Sequence, residues 1–260
     1  VQTRFSVQVN GQELHDIADS IYIVDVREEA PDIDIRTSGA ARPYGRHITG
    51  MRRETLTVEV VCEVHEYDVT ARAAVVQQMA AWAQDGYLTV NYRPGQRLRC
   101  VCEVLPSVGS ALRWTERIAM RFVAVDLPFW EDAAAVSATD SGVSAYGLKR
   151  SAGSGFTALE ARAEAEITAT GYVTIVTLQT DRSAMVFTGL NMSPGETLHI
   201  KYGLNGMQEI YISGGGGTRS AMHCRTGESA DDLLLTPGTG VAFTSDGGAS
   251  ATFLVRRLYA

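Results

Sequence analysis

The 260-residue sequence predicts a mainly β protein of two domains, the first an α+β domain with one helix and the second an all-β sandwich. Short runs of alternating apolar and polar residues recur along the whole chain, which is the period of a half-buried strand. A helical stripe behind a capping residue occurs at one place, from Asp68 to about Gln84. After Asp132 the composition turns to Ala, Ser, Thr and Gly and no further helix is predicted, so the domains are expected at 1–132 and 133–260.

Phe5 to Val9, then Asn10-Gly11, then Ile17 to Val26 predict an early hairpin, because Asn and Gly tolerate the positive φ of a tight turn. Arg27 to Arg53 lacks periodicity and holds Pro31, Gly39, Pro43, Gly45 and Gly50. It reads as a long connecting arm with one short strand at Asp32 to Ile35, and loops of that length are functional or disordered. From Leu56, the residues Leu56, Val58, Val60, Cys62 and Val64 share one strand face, opposite Thr57, Glu59 and Glu63 and the exceptional Val61. Asp68 caps the helix, Val75, Met79, Trp82 and Ala83 form its apolar stripe, and Gly86 is placed to end it. Met79 and Trp82 should pack on a sheet.

Leu88, Val90 and Tyr92 precede a Pro94-Gly95 turn, and Leu98, Cys100, Cys102 and Val104 follow it as a second hairpin. In the next strand Trp114, Ile118, Met120 and Phe122 face one way and Arg113, Thr115, Arg117 and Arg121 the other. That row of guanidinium groups is either a contact surface or a solvated face. The strand runs into Asp126-Leu127-Pro128-Phe129-Trp130-Glu131-Asp132, where Pro128 has no amide for a ladder and Phe129 and Trp130 require burial. Beyond it, strands are predicted at Glu164 to Ala169, Tyr172 to Leu178, Met185 to Leu190, Thr197 to Tyr202, Glu209 to Ser213, Leu233 to Leu235, Gly240 to Thr244 and Ala251 to Tyr259. Asn205-Gly206 and Asp246-Gly247 read as hairpin turns, which together suggest an antiparallel sandwich.

A net charge of −7 without long single-sign runs argues against a generally basic nucleic-acid binder. No apolar run approaches the roughly 20 residues of a membrane helix, and no basic-then-apolar leader opens the sequence, so cytosolic synthesis without membrane insertion is expected. The four cysteines, Cys62, Cys100, Cys102 and Cys224, lack Cys-x-x-Cys spacing and read as small buried hydrophobes. Residues 1–132 hold fourteen Arg and no Lys, against nineteen Asp plus Glu. Arg suits partly desolvated contacts, and codon usage in a GC-rich genome would give the same bias.

No motif for catalysis, a cofactor or a metal emerges. Gly214 to Gly217 lacks the Lys-Ser/Thr and helix of a phosphate loop. The five histidines, His15, His47, His65, His199 and His223, are scattered, and adjacent His223 and Cys224 would point apart on a strand. Asp32-x-Asp34 and Asp231-Asp232 read as solvated loop charges, and neither Gly-x-Ser-x-Gly nor His-Glu-x-x-His is present. All three tryptophans, Trp82, Trp114 and Trp130, lie in the first half. Sugar stacking in the second half would therefore fall to Tyr146, Phe156, Tyr172, Phe187, Tyr202, Tyr211, Phe243, Phe253 or Tyr259, residues that more often fill a core.

The hairpin through Asn10-Gly11, the arm ending Gly50-Met51-Arg52-Arg53-Glu54, the strand Leu56 to Val64, the single helix and the closing Arg121-Phe122-Val123-Ala124-Val125-Asp126-Leu127-Pro128-Phe129-Trp130-Glu131 form an ordered set. With the β-rich second half ending Thr252-Phe253-Leu254-Val255-Arg256-Arg257-Leu258-Tyr259, it resembles the distal tail protein family of siphophages. The resemblance implies a ring-forming, tail-tube-like belt domain followed by a galectin-like sandwich. It also implies a homohexameric, non-enzymatic hub of the virion tail tip, made in the bacterial host cytoplasm. Its implied partners are the tail tube protein and a tail-tip hub or tail-associated lysin, with a receptor-binding protein or host glycan beyond them. Phage DNA would pass through the ring without specific binding. Arg46, Arg52, Arg53, Arg113, Arg117 and Arg121 become candidates for subunit or tube contacts, and Pro128, Phe129 and Trp130 for the domain junction. The alternative is a carbohydrate-binding adhesion protein that uses the second domain on host-surface glycans.

Overall fold

The computed structural model describes residues 5–31, 33–38, 47–107, 115–144, 150–152, 161–203 and 207–259. The chain divides into two units, Val1–Trp130 with Ala260, and Glu131–Tyr259.

In the first unit, β1 (Val7–Val9) and β2 (Gln12–Glu13) flank Asn10 and Gly11, whose φ values of 53° and 82° make the expected mirror-image turn. The hairpin stops there, because a short 3₁₀ turn at Leu14–Asp16 leads away to β3 (Ile21–Glu29). That strand pairs with a later one and not with β1, so the early hairpin is shorter than the alternation suggested. The arm is itself paired: β4 (Ile33–Ser38) and β5 (His47–Arg53) form a two-stranded antiparallel ribbon. Its glycines and prolines hid that pairing, since strands are read from alternation and few turn residues.

β6 (Thr57–His65) buries Val58, Val60, Cys62 and Val64 as expected. Asp68 accepts a hydrogen bond from the Thr70 amide at 3.0 Å and starts helix α1 (Val69–Trp82). The buried stripe is Arg72, Val76, Met79 and Trp82, so Val76 replaces the expected Val75 and an arginine joins the inner face. Trp82 meets Phe122 edge-on at 6.1 Å and donates its indole N–H to the Gln12 carbonyl at 2.8 Å, which seats the helix on the sheet. The helix ends at Trp82, before Gly86. Gly86 instead opens β7 (Gly86–Val90), where a Cβ would fall 2.0 Å from the Asn10 side-chain oxygen. That oxygen accepts from the Tyr87 amide at 3.0 Å, while the Asn10 amide donates to the Asp85 carbonyl at 3.2 Å. The glycine is dictated by a distant strand turn, which local helix signals do not contain.

β8 (Gln96–Val104) and β9 (Thr115–Ala124) complete a seven-stranded antiparallel sheet ordered β3-β6-β9-β8-β7-β1-β2. β9 ends ahead of Pro128, and Asp126 turns the chain with φ 75°, a left-handed conformation uncommon for a non-glycine residue. The short β10 (Trp130–Asp132) follows.

The second unit is a sandwich. β11 (Val136–Ser144), β12 (Arg150–Ala152), β13 (Ala161–Ala169), β14 (Val173–Gln179), β15 (Ala184–Met192), β16 (Thr197–Tyr202), β17 (Gln208–Gly214), β18 (Gly217–Ser220), β19 (Leu234–Leu235), β20 (Val241–Ser245) and β21 (Ala249–Tyr259) form two sheets. One runs β18-β17-β16-β13-β21-β11 with β19 beside the start of β13, and the other β12-β20-β14-β15. Every second residue of β13, Ala161, Ala163, Ala165, Ile167 and Ala169, is buried, and the four alanines leave room in the same core for Phe187, Phe243 and Phe253. The Gly214 to Gly217 stretch is the tight β17–β18 turn. Asp246-Gly247 does not make a hairpin, since β20 and β21 belong to different sheets. Asp246 accepts from the Thr174 and Ile175 amides at 2.9 Å each, and Gly247 leaves space that the Tyr172 carbonyl, 2.0 Å from any Cβ, occupies. The sequence Asn205-Gly206, Trp114 and Asp32 lie outside the described residues.

Candidate interaction surface

The arginine face of β9 is a ladder of alternating charge. Arg27 on β3 stands opposite Glu59 on β6, and Glu59 opposite Arg121 on β9. Arg27 approaches Glu59 at 3.7 Å, while Arg121 reaches Glu103 on β8 at 3.4 Å and Glu29 at 3.8 Å. Arg117 is exposed and opposite Glu63. The expected row of guanidinium groups is thus interleaved with carboxylates supplied by neighbouring strands, a pairing that depends on register. These pairs are solvent-exposed, so their value is directional more than energetic.

The arm presents Ile33 and Ile35, each about half exposed, on one face of β4. Next to its root is a groove of about 420 Å³ lined by Glu28, Ala30, Pro31, Ile33, Arg53, Leu56 and Arg93. Arg93 from the β7–β8 turn holds the Glu28 carboxylate through two nitrogens at 2.9 and 2.6 Å, a planar bidentate pair in a half-buried setting. The same guanidinium lies 5.2 Å from the Trp130 ring centre, and Arg53 lies 5.0 Å from that of Phe129. Burial first, and then a hydrogen bond to Glu28, push the Tyr92 hydroxyl well above its ordinary range. Trp130 is fully buried, whereas Pro128 and Phe129 are half-buried.

The structure therefore joins Arg53 to Phe129 and the groove, and places Arg117 and Arg121 on the sheet face. Arg52 stands opposite Asp34 in the backbone register of the arm ribbon, while Arg46 and Arg113 lie outside the described residues. Glu28 and Arg93 were missed, since nothing local marks a glutamate at a strand end and an arginine in a turn as partners.

Chemistry-bearing residues of the second unit are mostly tied to one another. His199 shares hydrogen bonds with Glu166 at 3.2 Å and Ser213 at 2.7 Å, and its ring stacks on Tyr211 at 4.7 Å. Lys201 takes the same Glu166 oxygen at 2.9 Å, and that bond leads the effects holding this carboxyl below its ordinary range. Asp231 and Asp232 are paired with Arg225 and Arg162, the Asp231 side chain remaining solvent-exposed. Burial raises the Cys62 and Cys100 thiols to about 12, as inert core residues require. Phe187, Phe243, Phe253 and Tyr202 are buried, Tyr172 is exposed, and Tyr146 and Phe156 lie outside the described residues. Among the described residues no helix is long and apolar enough to cross a membrane.

A helix-bearing β unit followed by a sandwich is a fold that this chain shares with the solved structures it matches. The chain matches the crystal structure of the Dit protein of phage SPP1, described as a paradigm of the hub adsorption apparatus in phages infecting Gram-positive bacteria. The match has a TM-score of 0.63 at 13% identity and covers 99% of this chain and 100% of the other. Chains of the phage p2 baseplate in its activated conformation, with Sr or Ca, match at TM-scores of 0.54 and 0.55, both at 9% identity over 98% of this chain and 97% of theirs. No family model and no curated protein matches by sequence.

Proposed function

We propose that this chain is a structural distal tail protein, six copies of which close into a ring joining a phage tail tube to its tip apparatus. The observation that carries the reading is the end-to-end likeness to the SPP1 Dit hub, both units included. Residues 1–132 form the ring-building belt and 133–260 the peripheral sandwich. The arm, with Ile33 and Ile35 exposed, and the charged ladder through Arg117 and Arg121 supply subunit and tube contacts. Heterologous contacts of this kind close when their rotation fits a cyclic symmetry. Further partners are the tail tube protein and a tail-tip hub or tail-associated lysin, and the place of action is the virion. The role is mechanical and not catalytic.

Mass photometry and negative-stain imaging of the purified chain, alone and with tail tube protein, test this. Six copies per particle and a ring with a central opening are expected, the yield rising with concentration by mass action. A strict monomer in the presence of tube protein overturns the proposal.

A further inference from the structure

Three side chains on the second unit stand in the order of a nucleophile, a base and an orienting acid. Glu166 on β13 lies opposite His199 on β16, and Ser213 on β17 lies opposite Thr197, two residues before that histidine. The alternate neighbours Ile167, Leu198, Ile200 and Ile212 are buried in the sandwich core, which puts all three on the outer face of the sheet. His199 Nδ1 is 3.2 Å from Glu166 Oε1, and its Nε2 is 2.7 Å from Ser213 Oγ. A base within hydrogen-bond reach of a hydroxyl, itself oriented by a third group, is the geometry that activates a nucleophile.

The bonding pattern sets the proton positions. A carboxylate only accepts, so Nδ1 carries the ring proton and donates it to Glu166, and in the neutral ring Nε2 is left to accept from the Ser213 hydroxyl. Lys201 holds the same Glu166 oxygen at 2.9 Å, and this bond, ahead of the opposing effect of burial, keeps the carboxyl below its ordinary range and ionised at neutral pH. Tyr211 stacks on the imidazole at 4.7 Å and 20°, which fixes the ring plane. The His199 side chain is only 14% exposed, while Ser213 is half-buried and within reach of a small reagent.

The surroundings of Ser213 define what it can do. β17 is paired on both sides, with β16 and β18, so its amides around Ser213 are used in those ladders and do not form an oxyanion-holding pair. Loss of one such donor typically lowers turnover by roughly 10²–10³-fold. An activated ester carries its own good leaving group and tolerates that lack, whereas hydrolysis of the seryl ester it leaves behind does not. The arrangement favours accepting a group once over turning over.

We infer that Ser213 is a covalent acceptor site that takes one acyl group from a small activated ester, with His199 as the base. Ser213 Oγ bonds to the acyl carbon, and the Oγ–H proton passes to His199 Nε2. The bond from the acyl carbon to the leaving oxygen breaks, and that oxygen takes the proton from Nε2. Glu166 is a positioning residue that keeps the ring proton on Nδ1. The site does not depend on ring formation, so either proposal can fail alone.

The test treats the full chain with p-nitrophenyl acetate at neutral pH and locates the acetyl group by peptide mass mapping over time. Ser213 should be acetylated at least about tenfold faster than Ser220, an exposed serine on neighbouring β18. His199→Phe, which keeps an aromatic ring against Tyr211 but has no nitrogen, should slow Ser213 labelling at least about tenfold while leaving Ser220 unchanged. Glu166→Ala should slow it as well, and Glu166→Gln, whose side-chain oxygen still accepts from Nδ1, should restore part of the rate. If His199→Phe alters the circular dichroism, the wild-type ratio of Ser213 to Ser220 decides alone. Equal labelling of the two serines, or a His199→Phe rate equal to wild type, overturns the assignment.

Discussion

The sheet face of the first unit and the carboxylates of the second use charge in opposite ways. In the first, Arg27, Glu59, Arg121 and Glu103 lie side by side across an exposed sheet face, where water screens them. In the second, carboxylates fasten the chain to itself. Asp132, 7% exposed, accepts from the Arg257 backbone amide at 3.0 Å, from its guanidinium at 2.7 and 3.1 Å and from the Tyr259 hydroxyl at 2.9 Å. Asp181 and Asp246 likewise receive threonine hydroxyls and backbone amides. A sandwich without an α-helix among its described residues must secure many turns, and ionised carboxylates do this through charge-assisted bonds. A sheet face reserved for contact needs its charges displayed.

The sharpest break between the units is expected in acid. The carboxyls of Asp132, Glu166, Asp181, Glu196 and Asp246 are all held below their ordinary ranges, and all five belong to the second unit. For Asp132 burial works upward but is outweighed by the bonds from Arg257 and Tyr259, while for Glu196 the Arg219 bond leads. Depressed folded values mean stability that is present above the unfolded carboxylate range near pH 4 and lost as pH falls through the folded values. Because every tryptophan lies in the first half, indole fluorescence follows that half while far-ultraviolet circular dichroism follows both. On titration toward pH 2 the dichroism should collapse before the fluorescence shifts, and coincident transitions would erase the distinction.

Trp130→Ala should cost about 3–5 kcal/mol in denaturant unfolding, because the ring is fully buried and its loss leaves a cavity. A loss below about 1 kcal/mol would show that the site collapses without penalty. The smallest effect belongs to the ladder: Arg121→Ala, with a side chain 48% exposed, should change stability by less than about 1 kcal/mol while lowering the yield of assembled particles. A large stability loss with assembly intact would make Arg121 a fastening residue like those of the second unit.

Much of this was legible where the signal is local. Alternation located β6 and β16, Asp68 marked the start of α1, and Asn10-Gly11 marked its turn. Failures followed from partners distant in sequence. The arm looked irregular because Pro31 and Gly50 outweighed its weak alternation, yet pairing makes it a ribbon. Asp246-Gly247 resembles a hairpin turn until the sheets of β20 and β21 are known. The groove needs Glu28, Arg53 and Arg93 from three separate elements, and the Ser213 site needs the register of β13, β16 and β17.

The contact between Asn10 and Gly86 makes two distant positions one heritable unit. A side chain at 86 is excluded while Asn10 fills the space, and a smaller residue at 10 abandons the bonds to Asp85 and Tyr87. Substitutions at these sites should therefore be tolerated in pairs and rejected singly. A library randomised at both positions would recover that coupling as covariation, whereas scanning either alone would record only two intolerant residues.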